Sequence, residues 1–326
     1  MSKSKAVRIH QFGGPEQLVY EDVVVPKPAA GEVRLRQTAV GLNFIDIYHR
    51  TGLYPLELPS VIGLEAAGVV EEVGEGVTEV QPGDRVAYAG MPVGAYAGER
   101  VIPAHRLVVL PETIADQQAA AMMLQGMTVR YLLRKVYPLA AGDTLLVHAA
   151  AGGVGLILCQ WARAIGATVI GTVSSEAKAE LAQAHGCTHP VIYTREDFVQ
   201  RVRELTAGEG VPVVYDSIGK DTFEGSLNCL RPTGLMVSYG NASGAVPPFD
   251  AGILAQKGSL FLTRPTLMTY TAKRQDLLDS AEDLFAMVAS GKVKIEVKQQ
   301  YALSAAATAH ADLAARKTTG STILLP

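Results

Sequence analysis

Only three cysteines, Cys159, Cys187 and Cys229, occur in 326 residues, and no CxxC pair exists. That excludes a disulfide framework and a cysteine-built zinc site. Aromatic residues are scarce at 6%, with a single tryptophan. The one long apolar run, Leu145 to Cys159, is broken by His148 and three glycines and falls short of a membrane span. Neither sign of charge dominates, since 29 Lys and Arg face 32 Asp and Glu for a net charge of −3. This balance argues against a nucleic-acid partner, which calls for a basic excess or stripe. With 48% hydrophobic residues the chain is no acidic disordered polymer either. No Ser–His–Asp or paired-carboxylate constellation is evident, and the seven histidines are scattered. The opening Met-Ser-Lys-Ser-Lys leads straight into a strand-like Ala6 to Ile9 with no apolar signal core. A reduced, cytoplasmic protein is expected.

The length suits about two domains of roughly 150 residues each. The first hundred residues read as short strands and turns. Val33 to Val40 alternates apolar and polar residues, as a half-buried strand does. Val69 to Val73 and Arg85 to Tyr88 are separated by Gly74, Gly76 and Pro82-Gly83-Asp84, which are turn residues. After Pro111 the rhythm becomes βα alternation, with strands at 144–148, 168–173, 191–193, 211–215 and 235–239. These strands are near-continuous apolar runs joined by helices of about ten residues, which predicts a parallel sheet covered on both faces. A strand near Phe261, an amphipathic helix over 274–290 and a last strand at 322–325 follow. The predicted fold class is α/β, with a doubly wound domain over 125–260 inserted into a β-rich domain built from 1–124 and 261–326. The cleft between them is the expected ligand site.

The most specific motif runs from Leu145 through His148-Ala149-Ala150-Ala151 to Gly152-Gly153-Val154-Gly155. A buried strand leads into AxGxxG, with Ala150 at the first glycine of a dinucleotide-binding GxGxxG. Gly152 lets the backbone approach a pyrophosphate, Val154 packs, and Gly155 permits close helix–strand contact. The helix starting near Gly153 offers free N–H groups to the phosphates. The competing reading is a tight turn that serves only packing. At the tip of the second strand Thr172-Val173-Ser174-Ser175-Glu176-Ala177-Lys178 presents two hydroxyls and a lysine. An enzyme for NAD places a carboxylate at such a tip; here Lys178 suits a 2′-phosphate, so NADPH is favoured. Glu176 is the opposing signal, read as a first-turn acid stabilised by the helix dipole.

These motifs, with Asp216 to Gly219, Ser238 to Asn241, Asn43 to Asp46, Ser60 to Gly63, Phe261 to Pro265 and Arg316, resemble the medium-chain dehydrogenase/reductase superfamily. Within it the chain is similar to the zinc-free NADPH quinone oxidoreductases, relatives of zeta-crystallin, over essentially its full length. The resemblance implies a doubly wound Rossmann domain inserted into a β-rich GroES-like catalytic domain. Alcohol dehydrogenases of the superfamily ligate zinc through GxCxxD and GHExxG. Here Gly41-Leu42-Asn43-Phe44-Ile45-Asp46 and Gly63-Leu64-Glu65-Ala66-Ala67-Gly68 stand in those places. A leucine cannot ligate a metal and an amide is a poor zinc ligand. Alcohol dehydrogenation is therefore disfavoured, and the expected acceptor is already electron-poor, such as a quinone.

Site roles follow from the same resemblance. Asn43, Phe44, Ile45 and Asp46 are expected beside the nicotinamide, with Tyr48 and Tyr54 lining the acceptor slot, although ordinary aromatic packing is the plainer reading of both tyrosines. Thr128 and Tyr131 are assigned to the nicotinamide ribose, and Ser174, Ser175, Lys178 and Tyr193 to the 2′-phosphate end. Ser217 is expected to bind the cofactor, Gly240, Asn241, Ser243, Pro265, Thr266 and Leu267 to close over the nicotinamide, and Arg316 to meet the cofactor phosphate. His148 is read as a satisfied structural histidine. Two rival functions stay open: reduction of activated alkenes such as alkenals or enones, and a non-catalytic NADPH- or RNA-binding role. By analogy the protein is expected to be a homodimer, with the segment Leu235 to Ser243 and the strand near Phe261 at an edge-to-edge subunit contact.

Overall fold

The computed structural model describes residues 2–326. The described chain divides into two compact units. One holds the chain through Met127 together with Tyr270–Ala289 and Ile295–Pro326; the other holds Thr128–Thr269 and Ser290–Lys294.

The first unit is built on a seven-stranded sheet among the described residues. Val297–Ala302, Ser321–Leu325, Glu32–Leu42, Glu65–Val73, Arg85–Ala89 and Val108–Val109 lie side by side, and Glu99–Pro103 pairs with the start of Glu32–Leu42. Glu32–Leu42 alternates as predicted: Val33 and Leu35 are fully buried, and Arg36 between the inward positions is exposed. Its far end is flanked on both sides. Gly41 faces Glu65 in one antiparallel ladder and Ile323 in the other. The last strand of the chain therefore returns to the end of the strand from which the Asn43 segment leaves. Val33, Leu35, Ile62, Val86, Ile102, Leu107 and Leu324 belong to one apolar cluster that holds this sheet. A smaller sheet pairs Ser2–Ile9 with Val19–Val25 and Ser60–Val61.

The second unit carries a six-stranded sheet in the order His189–Ile192, Thr168–Val173, Thr144–Val147, Val211–Asp216, Leu230–Ser238, Phe261–Thr263. Every pairing in it is parallel. In chain order this is 3-2-1-4-5-6, the doubly wound arrangement whose direction reverses between Thr144–Val147 and Val211–Asp216. The strands are buried nearly throughout because helices link them; Leu146, Ile170, Val191, Val214 and Met236 are in one apolar cluster. Ligand crevices in such sheets open at the carboxyl ends of the strands at this reversal.

The turn after Val147 shows why its glycines are needed. Ala149 takes the left-handed conformation at φ 54°, and Gly152 N–H donates to Ala149 O at 2.9 Å. Helix Gly153–Ile165 then starts so close to that turn that a Cβ on Gly155 would lie 2.3 Å from Ala149 O. Backbone cannot yield cheaply to such a contact. Gly155→Ala is expected to destabilise the protein by about 1–3 kcal/mol, as overpacking of a tight site does. Equilibrium unfolding in denaturant checks this, and an unchanged midpoint would mean the turn is looser than described.

Candidate active site

In the first unit the strand Glu32–Leu42 gives way to helix Phe44–Thr51, with Asn43 at its N-cap. Asn43 N–H donates to Asp46 Oδ2 at 2.9 Å, the returning arm of a capping box. Asp46 is fully buried, and the same oxygen accepts the Tyr96 phenol at 3.0 Å. Tyr96 Oη lies 2.9 Å from His310 Nε2, and Arg50 Nη1 lies 3.4 Å from His310 Nδ1. A guanidinium only donates, so His310 Nδ1 accepts and its Nε2 carries the proton. The row therefore runs one way, from Arg50 through His310 and Tyr96 to Asp46.

Burial and the Arg50 cation push His310 down to about 3. Burial raises Asp46 to about 7, against the hydrogen bonds from Asn43 and Tyr96 that lower it. Asp46 Oδ1 has no hydrogen-bond partner among the described residues. A carboxyl group so placed can hold or release a proton near neutral pH.

A second buried acid stands on the other side of Asn43. Glu65 is fully buried and accepts Leu124 N–H on Oε1 at 2.7 Å and Asn43 Nδ2 on Oε2 at 2.7 Å. Gln125 Nε2 donates to Asn43 Oδ1 at 3.1 Å, and Ser321 Oγ donates to Gln125 Oε1 at 2.8 Å. Burial raises Glu65 above the ordinary carboxylate range and the Asp46 charge adds to this; the Asn43 side chain and the Leu124 and Met123 backbone donors work against it and favour the carboxylate. The expectation that no paired carboxylates occur is thus corrected, because the sheet brings Asp46 and Glu65 to the two sides of one asparagine.

The aromatic residues of this segment gather. Phe44 and Tyr48 have ring centroids 6.4 Å apart, and Tyr48 meets Tyr54 edge-on at 5.2 Å. Tyr54 N–H donates to Tyr48 O at 3.1 Å, which fixes the loop after the helix. Tyr48 is buried, while Phe44, Ile45 and Tyr54 are half-buried. Arg316, also in this unit, is exposed in a left-handed conformation at φ 58°, just past helix Ala306–Ala314.

In the second unit Gly152 is the N-cap of a thirteen-residue helix, and no side chain among the described residues caps it. Its first turn, Gly153-Val154-Gly155, contains no acid, so its amides and positive end suit a phosphate. The second-strand tip also fits. Ser175 Oγ caps helix Glu176–Ala184 by accepting Lys178 N–H at 3.4 Å, and Tyr193 N–H ties to Val173 O at 3.1 Å. Ser174 and Lys178 are half-buried and Tyr193 is exposed. Glu176, the opposing signal, pairs with Arg195 at 3.1 Å. Thr128 and Tyr131 are buried on helix Met123–Tyr131.

Beyond the fourth strand, Asp216 Oδ1 accepts Ile218 N–H at 2.7 Å and Gly219 N–H at 3.0 Å, which shapes the loop that carries Ser217. Gly240 packs against that loop, Ala242 N–H donates to Ser217 O at 3.1 Å, and Ser243 Oγ donates to Ile218 O at 2.9 Å. Arg264 Nη1 donates to Gly240 O at 3.1 Å, which joins the Gly240-Asn241 segment to the chain entering Pro265. Pro265 and Leu267 are buried and Thr266 is exposed.

His148 is satisfied on both nitrogens, by Thr172 Oγ1 and Ser226 Oγ, each at 2.9 Å. Ser226 Oγ in turn donates to Asp216 Oδ2 at 2.8 Å. The fold thus does align Asp, Ser and His, contrary to the expectation from sequence. The serine proton points at the aspartate rather than the histidine and the hydroxyl is fully buried, so the row is structural.

Comparison with known proteins agrees with this geometry. Residues 153–283 match the family described as zinc-binding dehydrogenase, and residues 29–112 match the alcohol dehydrogenase GroES-like domain. A quinone oxidoreductase of Pseudomonas aeruginosa is 53% identical, covering 99% of this chain and all of its own. The chain belongs to the quinone oxidoreductase family of the medium-chain dehydrogenase/reductase superfamily. The crystal structure of Escherichia coli quinone oxidoreductase complexed with NADPH superposes with a TM-score of 0.97 at 48% identity, covering 99% of this chain and 100% of that one. A 2-haloacrylate reductase from a Burkholderia species is also 48% identical over 98% of each chain. The Rossmann and GroES-like architecture predicted from the sequence is borne out.

The zinc in the family's name does not fit these residues. Asn43 spends its amide oxygen on Gln125 and an amide hydrogen on Glu65, and Leu64 is a buried hydrocarbon. Among the described residues no group of three or more His, Cys, Asp or Glu is arranged to hold a metal ion. Sequence reading missed Glu65, Gln125, Ser321, Tyr96, His310 and Arg50 as members of the site. One signal was at hand: an Asn-x-x-Asp spacing at 43 and 46 that marks a helix start.

The buried acids give stability a signed pH dependence. Asp46 holds its proton up to about 7 and Glu65 is raised in the same sense, whereas an unfolded chain releases both at about 4. The folded state binds more protons in that interval, so stability falls as pH rises. His49 and His310, pushed by burial to about 4 and about 3, act in the opposite sense, but only below the ordinary histidine value of about 6.5. From about pH 6.5 to 8 the acids act alone. The unfolding temperature is expected to fall across that window, and to fall less in Asp46→Asn. Equal slopes would remove Asp46 as a source.

Proposed function

We propose that this protein is an NADPH-dependent quinone reductase that works without a metal ion. The observation that carries the reading is the exchange at the Asn43 segment. In a chain that otherwise keeps the dehydrogenase fold, a hydrogen-bonded amide and a leucine stand where zinc ligands would be required. Bound NADPH supplies a hydride, and an electron-poor quinone needs no Lewis acid to take it.

Gly152, Gly153, Val154 and Gly155 bind the pyrophosphate on an uncapped helix end, and Ser174, Ser175, Lys178 and Tyr193 take the 2′-phosphate. Thr128 and Tyr131 hold the ribose; Ser217, Gly240, Asn241, Ser243, Pro265, Thr266 and Leu267 hold the nicotinamide end. In the first unit Asn43, Phe44, Ile45 and Asp46 serve the reacting centre, and Arg316 serves a cofactor phosphate. Tyr48 and Tyr54 give a flat acceptor an aromatic wall to lie against. Asp46, with a proton to hold near neutral pH, is suited to supply one to a reduced oxygen.

A second reading is favoured by the 2-haloacrylate reductase relative: reduction of an alkene conjugated to a carbonyl group. The cofactor assignments are the same in both. We further infer a homodimer. Phe261–Thr263 is the last strand of its sheet and pairs on one side only among the described residues, with Phe261 62% exposed. A second copy would complete that edge. The net charge of −3 lends nothing to a nucleic-acid partner, and three buried free thiols suit a reducing compartment such as the cytoplasm.

NADPH oxidation with a benzoquinone, a naphthoquinone, an alkenal and a 2-haloacrylate, each repeated with NADH, tests the reading. Quinone turnover with NADPH supports it; alkene turnover with inert quinones moves the function to double-bond reduction. In Lys178→Ala the KM for NADPH is expected to rise about ten-fold, the worth of one charge-assisted hydrogen bond, with that for NADH little changed. Equal effects would remove Lys178 from the phosphate. For the dimer, Phe261→Asp is expected to halve the mass measured by light scattering, and a wild type of monomer mass would refute the inference.

A further inference from the structure

We propose that Glu65 is a positioning residue: its carboxylate sets which way round the Asn43 side-chain amide sits, and so which hydrogen-bonding group that amide offers to a bound acceptor. The identity of the acceptor rests on the quinone-reductase reading; the orientation of the amide does not.

Four side chains form a continuous row. Ser321 Oγ donates to Gln125 Oε1, Gln125 Nε2 donates to Asn43 Oδ1, and Asn43 Nδ2 donates to Glu65 Oε2. Two of the four are primary amides, whose oxygen and nitrogen ends have nearly the same shape. Turned half-way round, each amide still fits its place, so the row has two self-consistent directions. Ser321 cannot choose between them, because a hydroxyl both donates and accepts.

Glu65 does choose. Its Oε1 must accept the Leu124 N–H from the first turn of helix Met123–Tyr131, and an ionised Oε2 can only accept as well. The row as it stands, with two donors aimed at Glu65, is the row of a carboxylate. A donor at Oε2 would demand the reverse: a bond to Asn43 Oδ1, then Asn43 Nδ2 to Gln125 Oε1, and Gln125 Nε2 to Ser321 Oγ.

The protein also makes room for this carboxylate. Gly41 faces Glu65 across the ladder, and a Cβ there would lie 2.3 Å from Glu65 Oε2 and 2.3 Å from Ala120 O. Beyond the row, Asn43 retains one amide hydrogen on the Glu65 side, while its oxygen, on the Gln125 side, also faces the Asp46 backbone N–H as the forward arm of the capping box. Reversal exchanges these two. An acceptor oxygen that meets the N–H in one direction meets a lone pair in the other, and two acceptors repel.

Glu65→Gln tests this with almost no change of shape. Leu124 N–H claims the new amide oxygen, the new nitrogen faces Asn43, and the row reverses with every bond within the row kept, at the expense of the Asp46 N–H arm of the capping box. The variant is expected to fold with an unfolding temperature near that of wild type. In the unliganded protein the Asn43 side-chain amide proton, assigned by its loss in Asn43→Asp, should leave the downfield position that a carboxylate partner gives it. Quinone turnover should lose about ten-fold in kcat, equal to 1.36 kcal/mol, with the KM for NADPH unchanged. Should removal of the charge unfold the protein, the double variant E65Q/Q125E keeps one buried carboxylate and all the bonds while still reversing Asn43. It should show the same amide shift and the same loss.

An unmoved amide resonance, or a moved one with kcat unchanged, overturns the proposal. A wild type inert to quinones but active on an alkene overturns the function reading instead. The resonance and the kcat on that alkene then decide Glu65.

Discussion

A carboxylate taken out of water costs several kcal/mol unless something inside the protein answers it. Among the described residues Glu65 is answered by N–H donors and by no ion-pair partner, from a helix N-terminus on one side and from the Asn43 side chain on the other. Much of the first unit's topology follows from bringing those donors together. The ladder between Glu32–Leu42 and Glu65–Val73 must be in register at Gly41, or the acid has no space. Helix Met123–Tyr131 must begin over it, and the positive end of that helix adds to the donor. The C-terminal strand must come back beside Leu42 to place Ser321 at the end of the row. Three segments far apart in the chain are thus committed to one buried charge.

The second unit solves the same problem in the same way. Asp216 is fully buried, takes two backbone N–H groups on one oxygen, and takes the hydroxyls of Thr222 and Ser226 on the other. His148 completes the arrangement by donating to Ser226 while Thr172 donates to its other nitrogen. These residues sit at the carboxyl ends of adjacent strands, where the strand order reverses. A rigid polar plug there holds the Asp216–Gly219 loop and, through Ser217 and Ser243, the segment after Leu230–Ser238. Loops held in this way need no ordering when a ligand binds, and binding that must first order a loop loses affinity to that ordering.

The parts legible in the sequence were those whose pattern is local. Strands buried on both faces are continuous apolar runs, so Leu145, Val169 and Val213 announced their sheet. The glycine turn was readable because strand, turn and helix are contiguous. Two strands were not: Val19–Val25 is mostly exposed or half-buried, and Val297–Ala302, with Lys298, Gln299 and Gln300 at its centre, has no buried position. The polar rows were the least legible of all. Asn43 is 22 residues from Glu65 and 82 from Gln125, and Ser321 is 196 beyond Gln125. Glu65 reads as an ordinary surface acid until the register at Gly41 shows that it points inward.

What the chain lost and what it gained at Asn43 belong to one exchange. A thiolate and an imidazole would have held a cation, and that cation would have compensated the acids next to them. With Asn43 and Leu64 in those places, Asp46 and Glu65 are left buried beside one another without it. Neutral donors compensate them instead. Tyr96 and the Asn43 backbone amide serve the first acid, and Leu124 N–H and the Asn43 side chain serve the second. The strong polarising field of a metal is thereby replaced by a weaker and strongly directional set of hydrogen bonds. Such a site can do little for an alcohol, whose proton must be removed before hydride leaves. It can orient a flat, electron-poor acceptor, for which position rather than activation is the remaining barrier.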